Sequence, residues 1–244
     1  MNKINVLGVN FDNTTMKETV EKCNEFLKTG KTNLIVTPNP EIVMEARKDS
    51  EFKNLLNSAD LCLPDGIGII IASKILKTPL KERVPGFDAI CSFLADETSK
   101  IEKKIYILGA KPGVAEVAGD EIEHKYKAKV VGFHHGYFDK SEEDKIVQDI
   151  IASGANVLLV GLGMGKQERF IFNHAEELKT EVAIGCGGSI DVLAGTVKRA
   201  PKIFRKLGLE WFYRLIKQPS RIGRMMQLPK FLLLVIFKGK KESI

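Results

Sequence analysis

The sequence predicts an α/β fold, with a mostly parallel sheet flanked by helices and a C-terminal basic helical appendage. Three observations predict it. Short apolar or β-branched runs alternate with amphipathic helical stretches over residues 1–195, the pattern of a parallel sheet crossed by helices. Glycine-rich segments follow several of those runs directly, where open parallel sheets bind ligands. Beyond residue 195 the alternation stops and the charge reverses. Residues 196–244 hold thirteen Lys/Arg against Glu210 and Glu242, a net of +11 in a chain of +6, so residues 1–195 carry −5. The expected organisation is a Rossmann-like body at 1–195 and an appendage at 196–244.

Residues 4–9 read as the first strand. Thr14 or Thr15 caps a helix through residue 27, which Gly30 stops. Residues 34–36 form a strand running into Thr37-Pro38-Asn39-Pro40, where Asn39 caps a helix with Pro40 at its first position. Residues 61–63 lead into Pro64-Asp65-Gly66 and an apolar helix to Leu76. A polar loop over 77–86 precedes a helix over 87–98. Residues 104–108 form a strand that turns at Gly109 and Gly113 into a helix. Residues 129–133 form another, followed by the loop His134-His135-Gly136-Tyr137-Phe138 and a helix from Ser141. Residues 157–160 end in Gly161-Leu162-Gly163-Met164-Gly165, with a helix to Leu178. Residues 182–184 run into Gly185-Cys186-Gly187-Gly188-Ser189. The appendage reads as helical pieces over 200–206, 209–217, 220–227 and 229–238, divided by Gly208, Pro219 and Pro229. Its cations interleave with Trp211, Phe212, Tyr213, Met225, Met226 and Phe231, which reads as an interfacial segment more than a core.

Composition narrows the class. The 244 residues are 44% hydrophobic and 28% charged, as in ordinary globular proteins, which excludes a disordered or collagenous chain. The apolar run over 231–237 is far shorter than the ~20 residues of a spanning helix. The first residues lack the apolar stretch of a signal peptide. Cys23, Cys62, Cys91 and Cys186 form no C-x-x-C and read as reduced thiols of a cytoplasmic protein, not as a disulfide frame or zinc site. The basic appendage calls for an anionic partner: a membrane surface, a nucleic acid or a phosphorylated substrate.

Several segments have the residue types of a site, each with a plainer reading beside it. Gly161 to Glu168 lies between strand and helix, where glycine lets backbone approach a phosphate. It matches neither G-x-G-x-x-G nor the P-loop and reads equally as a tight turn. Gly187-Gly188-Ser189-Ile190-Asp191 reads as a diphosphate nest or a strand–helix turn. Asp65 is a general-base candidate at a strand end or a helix cap; residue pattern favours the cap, and capping weakens a base. Thr37 and Asn39 suit a sugar or a turn. Arg83, in a polar loop, reads as solvated surface. His134 and His135 lack a partner at metal-ligand spacing. No D-x-D occurs, so a nucleotide-sugar enzyme of this sequence would meet the leaving diphosphate with cations and backbone N–H groups. Arg214, Arg221 and Arg224 suit membrane or phosphate contact ahead of a solvated face.

Taken together, Thr37-Pro38-Asn39-Pro40-Glu41, Leu63-Pro64-Asp65-Gly66, Glu82-Arg83-Val84-Pro85-Gly86, Gly161-Leu162-Gly163 with Lys166-Gln167-Glu168, Gly187-Gly188-Ser189-Ile190-Asp191, Lys198-Arg199-Ala200-Pro201, Gly208-Leu209-Glu210-Trp211 and Gln218-Pro219-Ser220-Arg221 resemble the WecG/TagA/CpsF glycosyltransferases, glycosyltransferase family 26. Gly165 stands where the family usually has Pro before Lys-Gln-Glu, which loosens that loop. The resemblance implies transfer from a UDP-sugar to polyprenyl-diphosphate-linked GlcNAc at the inner membrane face, inverting and without a metal or other cofactor. The TagA branch implies N-acetylmannosamine and the linkage unit of wall teichoic acid. Other branches imply N-acetylmannosaminuronic acid or glucose.

The resemblance makes Asp65 the candidate base, with Arg83 catalytic at the diphosphate. It implies substrate binding by Thr37, Asn39, Gly66, Gln167, Glu168, Gly187, Gly188 and Asp191, and diphosphate or membrane contact by Arg214, Arg221 and Arg224. The implied partners are the UDP-sugar, the lipid acceptor and an anionic membrane surface, not nucleic acid. The apolar tail could instead be covered in a homo-oligomer. Two other readings remain: a dinucleotide-dependent oxidoreductase, which lacks its fingerprint here, and a nucleic-acid binder working through the tail, which lacks a known motif.

Overall fold

The computed structural model describes residues 2–217, 219 and 222–242. Six strands form one parallel sheet: β3 (Asn33–Val36), β4 (Leu61–Cys62), β5 (Lys103–Gly109), β6 (Ala128–His134), β7 (Val157–Gly161) and β8 (Val182–Gly185), in the order β4-β3-β8-β7-β5-β6. Every carboxyl end therefore lies on one edge of the sheet. The mostly parallel, Rossmann-like arrangement expected from the sequence is the one observed.

The N-terminus differs from the single strand expected. β1 (Lys3–Val6) and β2 (Val9–Asp12) form an antiparallel hairpin. Its turn residues Leu7 and Gly8 both take positive φ, 51° and 90°, as a type I′ turn requires. Leucine is a poor signal for that turn. Asn5 supplies the missing support, its Oδ1 accepting from Gly8 N at 2.9 Å. Asp12, 3% exposed, pins the hairpin to the sheet by accepting from Cys62 N at 2.8 Å.

Alternation along the strands builds two cores. Leu34, Val36, Tyr106, Leu108, Leu158 and Val160 face one side of the sheet. Ile35, Ile105, Ile107, Val157 and Leu159 face the other. The first side is covered by α2 (Pro40–Ala46), α3 (Ser50–Ser58), α4 (Ile67–Ile75), α7 (Glu143–Ser153) and α8 (Lys166–Leu178). The second is covered by α1 (Met16–Phe26), α5 (Gly86–Ala95), α6 (Val114–Lys125) and α9 (Ser189–Leu193). Caps explain several starts: Thr15 and Glu18 form a capping box on α1, and Asn39 and Asp49 cap α2 and α3. Helix α3 was not anticipated; its pattern is short and follows α2 closely.

The appendage forms α10 (Lys202–Lys206), α11 (Glu210–Lys217), α12 (Ile222–Met225) and α13 (Gln227–Glu242). Pro229 does not divide helices. It sits in the first turn of α13, where no intrahelical N–H is needed. The interfacial reading is half corrected by α13. Phe231 and Val235, 0% and 1% exposed, complete the first core against α2 and α4, while Leu233, Ile236 and Phe237 face outward. Three glycines permit the close fit. A Cβ on Gly208 would lie 2.7 Å from Ile67 Cβ, one on Gly68 would lie 2.7 Å from Leu228 Cδ1, and one on Gly239 would lie 2.7 Å from Leu76 Cδ2. Arg47, the C-cap residue of α2, closes the far end with bidentate hydrogen bonds to Glu242 at 2.8 and 3.1 Å.

Candidate functional site

A cavity of about 790 Å³ opens at the carboxyl ends of β5, β7 and β8. Its position follows from topology. Helix α8 leaves β7 toward the first core, whereas α6 and α9 leave the neighbouring strands toward the second. This divergence of helices leaves room at the carboxyl end of β7, as at a topological switch point. The cavity walls are Ala110 and Lys111 after β5, Gly161, Leu162, Gly163 and Lys166 after β7, and Gly187, Gly188 and Asp191 after β8. Gly136, Tyr137, Phe138, Asp139 and Glu142 close it from the loop after β6.

The walls meet because side chains are absent. A Cβ on Gly109 would lie 2.6 Å from Gly161 O. Ala110 takes φ 57°, and its N and O bond Gly161 O at 3.3 Å and Gly136 N at 2.9 Å. Lys111 and Lys166 bring positive charge, and Tyr137, 66% exposed, offers an aromatic face. Residue pattern did not nominate these three. They converge only through strand order, although a Tyr in a loop directly after a strand was an available signal.

Gln167 and Glu168 stand behind the cavity, 4% and 1% exposed. Gln167 Nε2 donates to Glu168 Oε1 at 2.8 Å, and its Oε1 accepts from Gly187 N at 3.0 Å. Glu168 Oε2 accepts from Gly165 N at 2.7 Å. Burial pushes the Glu168 carboxyl above its usual range, against these hydrogen bonds. The pair ties the β7 and β8 loops together, which a bulkier residue at Gly185 would prevent, since a Cβ there would lie 2.9 Å from Gln167 Nε2.

A second group gathers beside it, at the ends of β3 and β4. Thr37 Oγ1 donates to Gly185 O at 3.4 Å, joining the two groups. Leu63 N donates to Val36 O at 2.8 Å, and Val84 N to Pro64 O at 3.1 Å. These bonds place the Arg83 loop against the segment that carries Asp65. Gly86 lets that loop press on Thr37, with a Cβ position 2.9 Å from Thr37 Cγ2. Gly66, at φ 88°, packs against Asn39 and Pro40. Gly66, one residue beyond Asp65, is also the N-cap residue of α4. Asn39 Oδ1 is engaged as the cap of α2, accepting from Ile42 N at 3.1 Å. Arg83 is half-buried and donates to Arg205 O at 3.0 Å.

Arg221 lies outside the described residues. Arg214 and Arg224 have described backbone, in α11 and α12, but not described side chains. The cysteines are free, and Cys23, Cys62 and Cys186 are buried. Burial pushes the Cys23 and Cys186 thiols up to about 12 and raises Cys62 as well, so they are poor nucleophiles and ligands. Among the described residues no three His, Cys, Asp or Glu side chains gather as metal ligands. No described helix is long and apolar enough to cross a membrane.

Comparison with known proteins spans nearly the whole chain. The pattern of the Glycosyl transferase WecG/TagA/CpsF family matches residues 4–243. Relatives from Staphylococcus aureus strains MRSA252 and NCTC 8325 are 40% identical over 246 residues, spanning 98% of this chain and 94% of theirs. Both carry the name N-acetylglucosaminyldiphosphoundecaprenol N-acetyl-beta-D-mannosaminyltransferase.

Proposed function

The chain belongs to the WecG/TagA/CpsF glycosyltransferase family, and from that premise we propose that it transfers N-acetylmannosamine from UDP-N-acetylmannosamine to undecaprenyl-diphosphate-linked GlcNAc. The observation that carries this reading is the extent of the match: 40% identity over 98% of the chain to relatives named for that reaction.

The geometry supports a division of labour. The nucleotide occupies the cavity at β5, β7 and β8, its diphosphate against the Gly187 and Gly188 backbone and its base near Tyr137 and Asp191. Lys111 and Lys166 meet the charge of the diphosphate. Thr37 and Asn39 border the sugar. Gln167 and Glu168 act by holding the loops that form the wall. Asp65, at the end of β4, takes the proton of the acceptor hydroxyl as its oxygen attacks the anomeric carbon. The bond to the UDP oxygen breaks from the opposite side, which inverts the configuration. Arg83 stabilises the charge gathering on the departing diphosphate. These cations supply the neutralisation that a bound metal provides elsewhere, so the reaction proceeds without one.

The acceptor is a lipid, and the appendage suits its surroundings. Ile203, Leu207, Phe212, Ile216, Ile222 and Met226 are all exposed among its cations. An apolar and basic face of this kind binds anionic headgroups, placing the enzyme peripherally at the inner membrane face. UDP release should be measured from a panel of UDP-sugars with a GlcNAc-diphosphate-lipid analogue, membrane mimic and EDTA present. Acceptor-dependent release with UDP-N-acetylmannosamine alone is expected. Release only with UDP-N-acetylmannosaminuronic acid or UDP-glucose would assign another branch, and no release from any donor would refute the reading.

A further inference from the structure

We infer that Glu210 is a positioning residue for Arg83, through which docking of the appendage sets the geometry of the diphosphate end of the site. The inference rests on the proposed role of Arg83. Glu210 opens α11, where a carboxylate is favoured by the helix N-terminus. Its two oxygens face two arginines: Oε2 lies 3.6 Å from Arg83 Nη1, and Oε1 lies 3.7 Å from Arg199 Nε. All three side chains are about one-fifth exposed.

Arg199 is itself fixed to the body. Its Nη2 donates to Asp88 Oδ2 at 2.7 Å, and its guanidinium lies 4.5 Å from the centre of the Phe87 ring. A line of contacts thus runs from α5 through Arg199 and Glu210 to Arg83. From the appendage Arg83 receives a second restraint, the carbonyl of Arg205 at 3.0 Å. Both of these contacts come from residues beyond 200. They hold a long side chain that otherwise has roughly 2 kcal/mol of rotamer entropy.

The lengths of these contacts matter. At 3.6 Å Glu210 is too far for a hydrogen bond to Arg83 but close enough to orient its charge. The carboxylate braces the guanidinium without consuming its N–H donors, so those not given to Arg205 O can meet a diphosphate. An effect exerted in this way appears in turnover and not in donor binding, because the diphosphate charge grows as the bond breaks.

The test compares Glu210→Gln, Arg199→Met and Arg83→Ala by steady-state UDP release with the full-length protein and membrane mimic, alongside hydrogen exchange of residues 202–242. Glu210→Gln is expected to lower kcat about tenfold, with KM for UDP-N-acetylmannosamine within twofold and exchange of α10 to α13 unchanged, since Phe231, Val235 and Arg47 still hold α13. Arg199→Met, which withdraws the second partner of Glu210, should lower kcat alone by about threefold or more. Wild-type kcat in either variant, with Arg83→Ala strongly impaired, overturns the inference and leaves the role of Arg83 standing. Faster exchange of the appendage in step with lost turnover makes Glu210 a docking contact only and also overturns it. Wild-type turnover in Arg83→Ala removes the reading beneath it.

Discussion

Replacing Gln167 with Leu removes the polar tie between the β7 and β8 loops while keeping most of the side-chain volume. Two bonds go: the donor to Glu168 Oε1 at 2.8 Å and the acceptor for Gly187 N at 3.0 Å. Each deserted buried partner costs about 1–3 kcal/mol, with the charged one toward the upper end, so the variant loses about 3 kcal/mol. At this chain length each kcal/mol shifts Tm by roughly 2–4 °C, which predicts a fall of about 6–12 °C. The sign with pH is also fixed. Burial already raises the Glu168 carboxyl, and Gln167 opposes that rise. Its loss raises the folded-state pKa further. A group with a raised folded pKa contributes stability below its unfolded value, about 4.3 for Glu, and loses it as pH rises through the folded value. The gap between variant and wild type should therefore be widest at pH 8 and narrow toward pH 5. Calorimetric melts at both pH values, with UDP titrations at pH 8, check this. UDP affinity should weaken about tenfold as the Gly187 wall loosens. A Tm within 2 °C of wild type at pH 8, or a gap that does not narrow in acid, would refute the reasoning.

Three further outcomes follow from named contacts. Asp65→Asn should lower kcat by about 10²–10⁴ as a lost general base does, with UDP affinity nearly unchanged; near-normal single-turnover rates would exclude Asp65 as the base. Gly208→Val puts a branched side chain at φ 71° and against Ile67, costing about 2–4 kcal/mol in strain and overpacking; exchange over residues 202–217 should rise and turnover fall, and unchanged exchange would show that the junction tolerates the wedge. His174 bridges α7 and α8, bonded to Glu143 at 2.8 Å and to Glu177. Burial opposes its charging, but the two carboxylates outweigh this and raise its pKa, so its contribution is full below about pH 6.5 and is lost above that as pH passes the folded value. Comparing melts of wild type and His174→Gln, the wild-type advantage of about 0.5–1 kcal/mol should be present at pH 6 and gone by pH 9; an advantage that grows with pH would reverse the assignment.

The parallel sheet was legible because each strand announces itself locally, by an apolar run ended by glycine or proline. The elements that escaped depend on something other than local pattern. Leu7 conceals a turn that Asn5 supports from two residues away. Pro229 looks like a break and is a permitted first-turn residue. Phe231 and Val235 look interfacial because their burial is supplied by α2 and α4, far away in sequence. The site divides in the same way. Gly187, Gly188 and Asp191 are neighbours in sequence and line the cavity together. Lys111, Tyr137 and Lys166 reach it from the segments that follow three different strands, so only strand order reveals them. The Arg83 and Arg205 contact spans 122 residues, a separation at which no motif reports a partner.

The seating of α13 on α2 and α4 has a consequence for biosynthesis. The whole sheet, including β8, is synthesised before Phe231 and Val235 exist. Until they arrive, the first core lacks part of its cover over α2 and α4, and hydrophobic surface of this kind promotes aggregation when left exposed. The nascent chain is thus vulnerable on the side from which α13 is missing. Because α10 and α11 precede α13, the partners of Arg83 also emerge after the sheet. A chain halted just beyond α9 would carry the cavity residues without those partners. Completion of the apolar core and of the contacts around Arg83 are both left to the final stretch of translation, so a prematurely ended product is expected to lack turnover as well as cover.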